Sequence, residues 1–260
     1  MQPSTWHQYM IEFTSPASAA EITARHIAPE LARAHESRLL HTWWYIRKTP
    51  AWRLRYQPAH TNVTVVAELL EKLAADGCLT HWAQGIYEPE TLAFGGPEAM
   101  EAAHELFHHD SRHLLTRASK HHPALGQRET TVLLFTTLLR AAGQDWAEQG
   151  DVWAKITDLR PTTHDLAPDA SNTLQHAMRR LMTTNPDTLP EIVSPTWADA
   201  FHNTGQELAA LARNGRLQRG LRAVLAHHFI FHANRAGLSG TDQATLARLA
   251  VNTVFHTDTD

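Results

Sequence analysis

Hydrophobic and polar positions change their spacing once along this chain, and the change divides it in two. Residues 6–14 alternate, with Tyr9, Ile11 and Phe13 on one face, which predicts a strand. Ser15-Pro16 then opens a helix to about Ser37, its apolar stripe formed by Ile22, Ile27, Leu31 and, near the end, Leu39. The runs 41–48 and 51–57 are aromatic and β-prone, separated by Thr49-Pro50, and predict a hairpin. Residues 63–76 predict an amphipathic helix ended by Gly77, and 80–88 return as a strand. The expected fold class is α+β. Its N-terminal half, 1–96, has the β-α-β-β-α-β order of a ferredoxin-like unit, packed with a mostly helical half, 97–260. After Gly95-Gly96-Pro97 the spacing is helical over 98–119, 127–142, 145–158, 170–183, 196–213, 217–235 and 241–255. Breaks are expected at Pro123, Gly143, Arg160-Pro161, Asn185-Pro186 and Gly237, and surface loops over 160–170 and 184–195.

Composition narrows the function class. Net charge is −4 and no long basic run exists, which disfavours general nucleic-acid binding, since that needs clustered Lys and Arg to neutralise phosphates. No stretch approaches the roughly 18 apolar residues of a membrane span, and no basic leader followed by an apolar run opens the sequence. The single cysteine, Cys78, allows no internal disulfide and points to a reducing compartment, the cytoplasm. The 19 histidines either titrate as a group or reflect a histidine-tolerant composition with many surface rings.

Four stretches could carry chemistry. In Trp52-Arg53-Leu54-Arg55-Tyr56 the alternation sends Trp52, Leu54 and Tyr56 to one face and both arginines to the other. Two guanidiniums about 7 Å apart suit an anionic group or a developing enolate; the competing reading is a solvated strand face. Tyr87-Glu88-Pro89-Glu90, followed by Phe94-Gly95-Gly96, places carboxylates at a strand end beside a double glycine that lets backbone approach a ligand. On the helix 98–119, His104/His108 and His109/His113 are each four apart, with Asp110 and Arg112 between them. His104-Glu105-Leu106-Phe107-His108 formally matches H-E-x-x-H, so zinc is one reading, and a chance match in a histidine-rich chain is the other. Finally, His228 and His232 share a helical face near Asn234 and Arg235, as an acid–base group or as interior packing.

In this order, an R-x-R strand, Y-x-P-E…F-G-G-P, a histidine-rich A-H-x-L-F-H-x-D-S-R-H helix and a late H-x-N-R segment, the chain resembles one family. It is similar to the C-terminal, elimination-type domain of lantibiotic dehydratases and to stand-alone thiopeptide-type bacteriocin biosynthesis proteins, from Trp6 to about Phe255. The resemblance implies a ribosomally made precursor peptide, leader and modified core, as substrate, and neither metal nor organic cofactor. One branch removes glutamate from glutamylated Ser or Thr. Another, the pyridine synthases, joins two dehydroalanines in a formal [4+2] cyclisation and expels water and the leader. By the same resemblance the catalytic set is Arg53, Arg55, Tyr87, Glu90 and His228 or His232. Trp52, Tyr56, His108, Arg112, Asn234 and Arg235 are expected to bind substrate.

Two positions depart from the eliminating branch. Its arginine three residues after the glutamate is Ala93 here, and its histidine four before the Asn is Ile230, so His228 or His232 substitutes only in a shifted helix register. Elimination needs a base for the α-proton and cations for the enolate and leaving carboxylate. Cyclisation depends more on holding two alkenes in reach. The expectation is therefore a cyclase. The alternatives are the lyase half of a split dehydratase working with a glutamylating subunit, and a non-catalytic leader-binding partner that takes peptide on an exposed strand edge. A homodimer is compatible with each.

Overall fold

The computed structural model describes residues 6–118, 125–161 and 168–255, and the chain divides into two compact units. The first comprises Met1–Pro89 with Phe107–Pro123, the second Glu90–Leu106 with Ala124–Asp260.

In the first unit four strands, β1 (His7–Phe13), β2 (Leu40–Arg47), β3 (Trp52–Pro58) and β4 (Leu79–Gly85), form one sheet in the order β2-β3-β1-β4. Every neighbouring pair is antiparallel. Side chains alternate across the pleat, so Tyr9, Ile11, Phe13, Trp43, Tyr45, Leu54 and Tyr56 all reach one face. There they pack with Ile27 and Leu31, and with Val66, Leu70 and Leu73 of α3 (Val65–Ala75). The helix α3 ends as its sequence requires. Gly77 takes a left-handed φ of 75°, and the Cys78 and Gly77 amides close back on the carbonyls of Leu73 and Ala74.

The helix expected from Ser15 to Ser37 is irregular. It runs as α1 (Ala19–Ile22), a π-helical turn (Thr23–Ile27) and α2 (Ala28–Glu36). Pro29 has no N–H to give the Arg25 carbonyl and its ring crowds that carbonyl, so a wider turn just upstream relieves it. Leu39 falls outside the stripe and is 40% exposed, because the helix stops at Glu36 and Arg38 adopts a left-handed φ of 58°.

The β2 edge differs from the peptide-accepting edge that strand addition needs. Residues 107–118, the second half of α4 (Pro97–Ala118), lie along it. The Tyr45 amide donates to Ser111 Oγ (3.2 Å), and His108 Nδ1 lies 2.8 Å from the Trp43 carbonyl. On that distance Nδ1 carries the proton and donates. The edge's backbone groups are thus taken up by helix side chains.

The second unit is helical: the first half of α4, α5 (Gln127–Ala141), α6 (Trp146–Leu159), α7 (Pro168–Thr183), α8 (Pro195–Arg213), α9 (Leu221–Ala236) and α10 (Gly240–Phe255), with a 3-10 turn at Pro186–Thr188. These bounds follow the expected helices closely. The exception is α9, which starts at Leu221 instead of residue 217, since Gly215 turns left-handed (φ 67°) and 216–220 form an irregular connection with a bend at 218–219. The break at Pro123 and most of the loop 160–170 lie outside the described residues. Gly205 lets α8 press on α5, where an added Cβ would stand 2.5 Å from the Leu138 carbonyl oxygen. No described helix is long and apolar enough to cross a membrane.

Candidate functional site

The strand alternation places Arg53 and Arg55 on the sheet face opposite the packed core, and cross-strand register then makes them unequal. Arg55 stands in a row with Trp44 on β2, Gln8 on β1 and Gly85 on β4. Its guanidinium carbon sits 4.4 Å from the Trp44 ring centroid and 4.2 Å from that of Tyr87. The two rings meet edge to face, and Trp6 closes the third side, edge-on to both. A cation in the corner of two aromatic rings is held by the ring quadrupoles, and more strongly where water is excluded. Arg55 is only 7% exposed. Its Nε donates to Gln8 Oε1 (2.7 Å), and Gln8 Nε2 donates to the Ile86 carbonyl (3.1 Å). Arg53 occupies the next row, beside Ile46 and Met10, and is half-buried.

In the second unit Glu90 opens a turn closed by the Phe94 amide on the Glu90 carbonyl. The carboxylate meets a histidine that the sequence reading passed over. His227 Nε2 lies 2.8 Å from Glu90 Oε2, with the His227 side chain 16% exposed and Glu90 55%. The His227 ring meets Phe94 edge to face, and Phe231 tilts against it. Arg219 donates from Nη1 to the Ala93 carbonyl (2.7 Å), which brings a guanidinium to the turn that begins at Glu90. The double glycine serves the chain itself. Gly95 and Gly96 are left-handed (φ 95° and 113°), and a Cβ on either would strike Leu217 or Gln218, whose amide donates to the Gly95 carbonyl. What comes close there is the irregular 216–220 segment.

His228 and His232, expected as acid–base groups, are 2% and 1% exposed. Burial, with His227 and Arg235 nearby, pushes the His228 pKa down to about 3, so the ring is neutral. His232 packs edge-on to Phe201. Arg235 is fully buried, and Asn234 accepts from Gln243 Nε2 (2.9 Å), a tie between α9 and α10. The reason is rotational: between Val224 and Ala236 only His227 and Asn234 escape full burial, and a spacing of seven puts them on one face with Ile230. That spacing was the available signal, because the family's histidine position, Ile230, lies one turn from His227.

The remaining expected residues serve the first unit's interior or rim. Tyr56 is 1% exposed and stacks with Tyr9; burial and that neighbour raise its phenol pKa. Trp52 stacks on Tyr45 on the core side, with the Arg47 guanidinium over its other neighbourhood at 4.6 Å. His108 is buried against Trp43 and His35, and burial lowers its pKa to about 4. Arg112 is exposed at the rim of a depression of about 260 Å³ floored by Ala24, Ala28, Ala32 and Trp43. Among the described residues no group of three His, Cys, Asp or Glu side chains could hold a metal ion.

The fold matches a tRNA-dependent lantibiotic dehydratase, MibB, from Microbispora sp. 107891 at TM-score 0.69 and 18% identity, over 98% of this chain and 28% of that one. This chain therefore spans little more than a quarter of that dehydratase. It matches TsrL at TM-score 0.67 and 16% identity, over 96% of this chain and 94% of that one. The pyridine synthase TbtD from thiomuracin biosynthesis matches at TM-score 0.64 and 12% identity, over 97% and 98%. No curated protein sequence matches. The family model described as lantibiotic biosynthesis dehydratase C-term covers residues 6–254, and the chain belongs to that family.

Proposed function

We propose that this protein is an enzyme that matures a ribosomally synthesised precursor peptide, and that its reaction is the formal [4+2] joining of two dehydroalanines with expulsion of water and leader. The observation that carries the proposal is the hydrogen bond between His227 and Glu90. Cyclisation needs one backbone amide to pass through its iminol tautomer, which takes a proton off nitrogen and puts one on oxygen. A histidine paired with a half-exposed carboxylate can do both, each proton's arrival on one partner being matched by its departure from the other. In the first unit, taken by itself, Arg55 against Trp44 and Tyr87 is a fixed cation suited to a peptide carbonyl. The half with the β-α-β-β-α-β order and the strand order β2-β3-β1-β4 we read as ferredoxin-like. We read the chemistry as cofactor-independent and the leader peptide as part of the recognised substrate.

A second reading, glutamate elimination from glutamylated Ser or Thr, is favoured by one specific observation. Arg219 on the Ala93 carbonyl offers a cation where the eliminating branch has one, and His227 offers the histidine that Ile230 lacks. Mass spectrometry on two synthetic peptides separates the readings. One carries glutamylated serine, the other two dehydroalanines behind an intact leader. Cyclisation of the second, with Glu90→Gln and His227→Gln each slowing it about a hundredfold or more, is the expected outcome. Loss of glutamate from the first refutes the cyclase reading in favour of the lyase. No change in either refutes both and leaves a leader-binding partner.

A further inference from the structure

The row that contains Arg55 ends at a glycine whose backbone does not call for one. Gly85 is not among the positive-φ residues, so conformation alone does not explain it. What excludes a side chain there is a single atom. A Cβ built on Gly85 would stand 2.9 Å from Gln8 Nε2, and its next neighbours are Met10 side-chain atoms at 3.8 Å. That amide nitrogen is the one that donates to the Ile86 carbonyl, while the same carboxamide's oxygen accepts from Arg55 Nε. The two bonds leave no choice of amide orientation, since Arg Nε can only donate and a carbonyl can only accept. Gln8 is 4% exposed, so its carboxamide is a buried polar group committed at both ends.

The consequence concerns the guanidinium and the ring beside it together. Ring quadrupoles favour a cation over the face without choosing which N–H points where, so the two near-perpendicular rings against Arg55 hold its position without assigning its N–H groups. The short bond from Nε to Gln8 supplies a directional restraint that ring faces lack. The bond from Gln8 to the Ile86 carbonyl ties down the main chain one residue ahead of Tyr87, the second ring against the guanidinium. One side chain thus bonds both the cation and the main chain that leads into one wall of its box.

We propose that Gln8, admitted by Gly85, is a positioning residue of Arg55 and Tyr87, orienting the guanidinium through Nε for the reacting peptide. The proposal deepens the peptide-maturation reading and rests on it for the substrate, but not for the geometry. Gln8 acts through Arg55, so its loss lowers turnover of a bound peptide and leaves affinity nearly intact.

The test uses the full chain with the two synthetic peptides named above and, separately, the Arg55 Nε–H resonance in ¹⁵N-labelled protein. In Gln8→Leu the expected outcome is about a tenfold or greater fall in kcat with KM within about twofold, and fast solvent exchange of the Arg55 Nε–H. Gln8→Glu keeps an acceptor for Nε and loses the donor to Ile86. It is expected to retain a protected Nε–H while altering the near-ultraviolet circular dichroism of the Trp6–Trp44–Tyr87 group. Gly85→Ala is expected to mimic Gln8→Leu on its own and to cost less than about twofold more in a Gln8→Ala background, where the obstructing amide is gone. Unchanged Nε–H exchange in Gln8→Leu overturns the proposal, as does a Gly85→Ala effect of equal size in both backgrounds. If neither peptide turns over even with wild-type protein, the maturation reading fails, and the exchange measurement still decides the positioning.

Discussion

Acid should destabilise the sheet-bearing unit through His108. The ring is 4% exposed, donates to the Trp43 carbonyl and lies against the rings of His35 and His109, with Arg112 one turn away. Burial is the main reason its pKa falls from 6.5 to about 4; the bond to Trp43 opposes that shift and the neighbouring His35, His109 and Arg112 charges add to it. The folded state therefore refuses a proton that the unfolded chain accepts. Stability is complete above the unfolded value, declines as pH drops through about 6.5, and stops declining near about 4, where the folded ring protonates too. At roughly pH 5 nearly all unfolded rings and about a tenth of folded ones are charged, which costs about 2 kcal/mol relative to pH 8. His108→Asn keeps a donor for the Trp43 carbonyl and removes the titration. Urea unfolding of both proteins at about pH 8, 6.5 and 5, followed by tryptophan fluorescence, gives the difference between them. His113 and His228, whose pKa values burial also lowers, titrate in both proteins and cancel. The wild-type protein should lose about 2 kcal/mol more than His108→Asn over this range. A gap that is constant with pH refutes the reasoning, because the histidine's burial would then have no linkage to folding.

Other outcomes follow from packing and capping. Gly205→Ala drives a methyl into the Leu138 carbonyl and the Ala141 side chain, and backbone cannot swing aside as a long side chain can. A loss of about 2 kcal/mol is expected in calorimetry, against no loss for Gly240→Ala, where nothing stands within 4 Å. Asp145→Ala removes the capping box of α6, in which Asp145 accepts from the Glu148 amide (2.8 Å) and Glu148 returns the bond (3.0 Å), and should cost about 1 kcal/mol in the same measurement. Arg55→Lys keeps the charge but loses the planar fork against Trp44 and Tyr87 and the Nε bond to Gln8, so peptide turnover should fall about tenfold or more. Wild-type rates in that variant would move the cationic function to another residue.

The sequence by itself determined the elements, because each has a local cause. Alternation of period two forces Arg53 and Arg55 to the face opposite Leu54 and Tyr56, and Gly77 ends α3 because its left-handed conformation suits few other residues. The ordered motifs likewise placed the chain in its family. Tertiary structure decided which members of each equivalent pair do what. Arg53 and Arg55 are identical to a strand pattern. Only the registration of β2, β1 and β4 beside β3 put Trp44, Gln8 and Gly85 in the row of Arg55 and made it the boxed, buried arginine. Three histidines on α9 were similarly indistinguishable, since a helix apolar on nearly every side gives its pattern no direction. Packing of α9 within its unit turned His228 and His232 into the core and left His227 to meet Glu90, 137 residues away in the chain. Local periodicity fixes which side of an element a residue occupies. Which side meets a partner is set by contacts between residues far apart in sequence, and those exist only once the chain has folded.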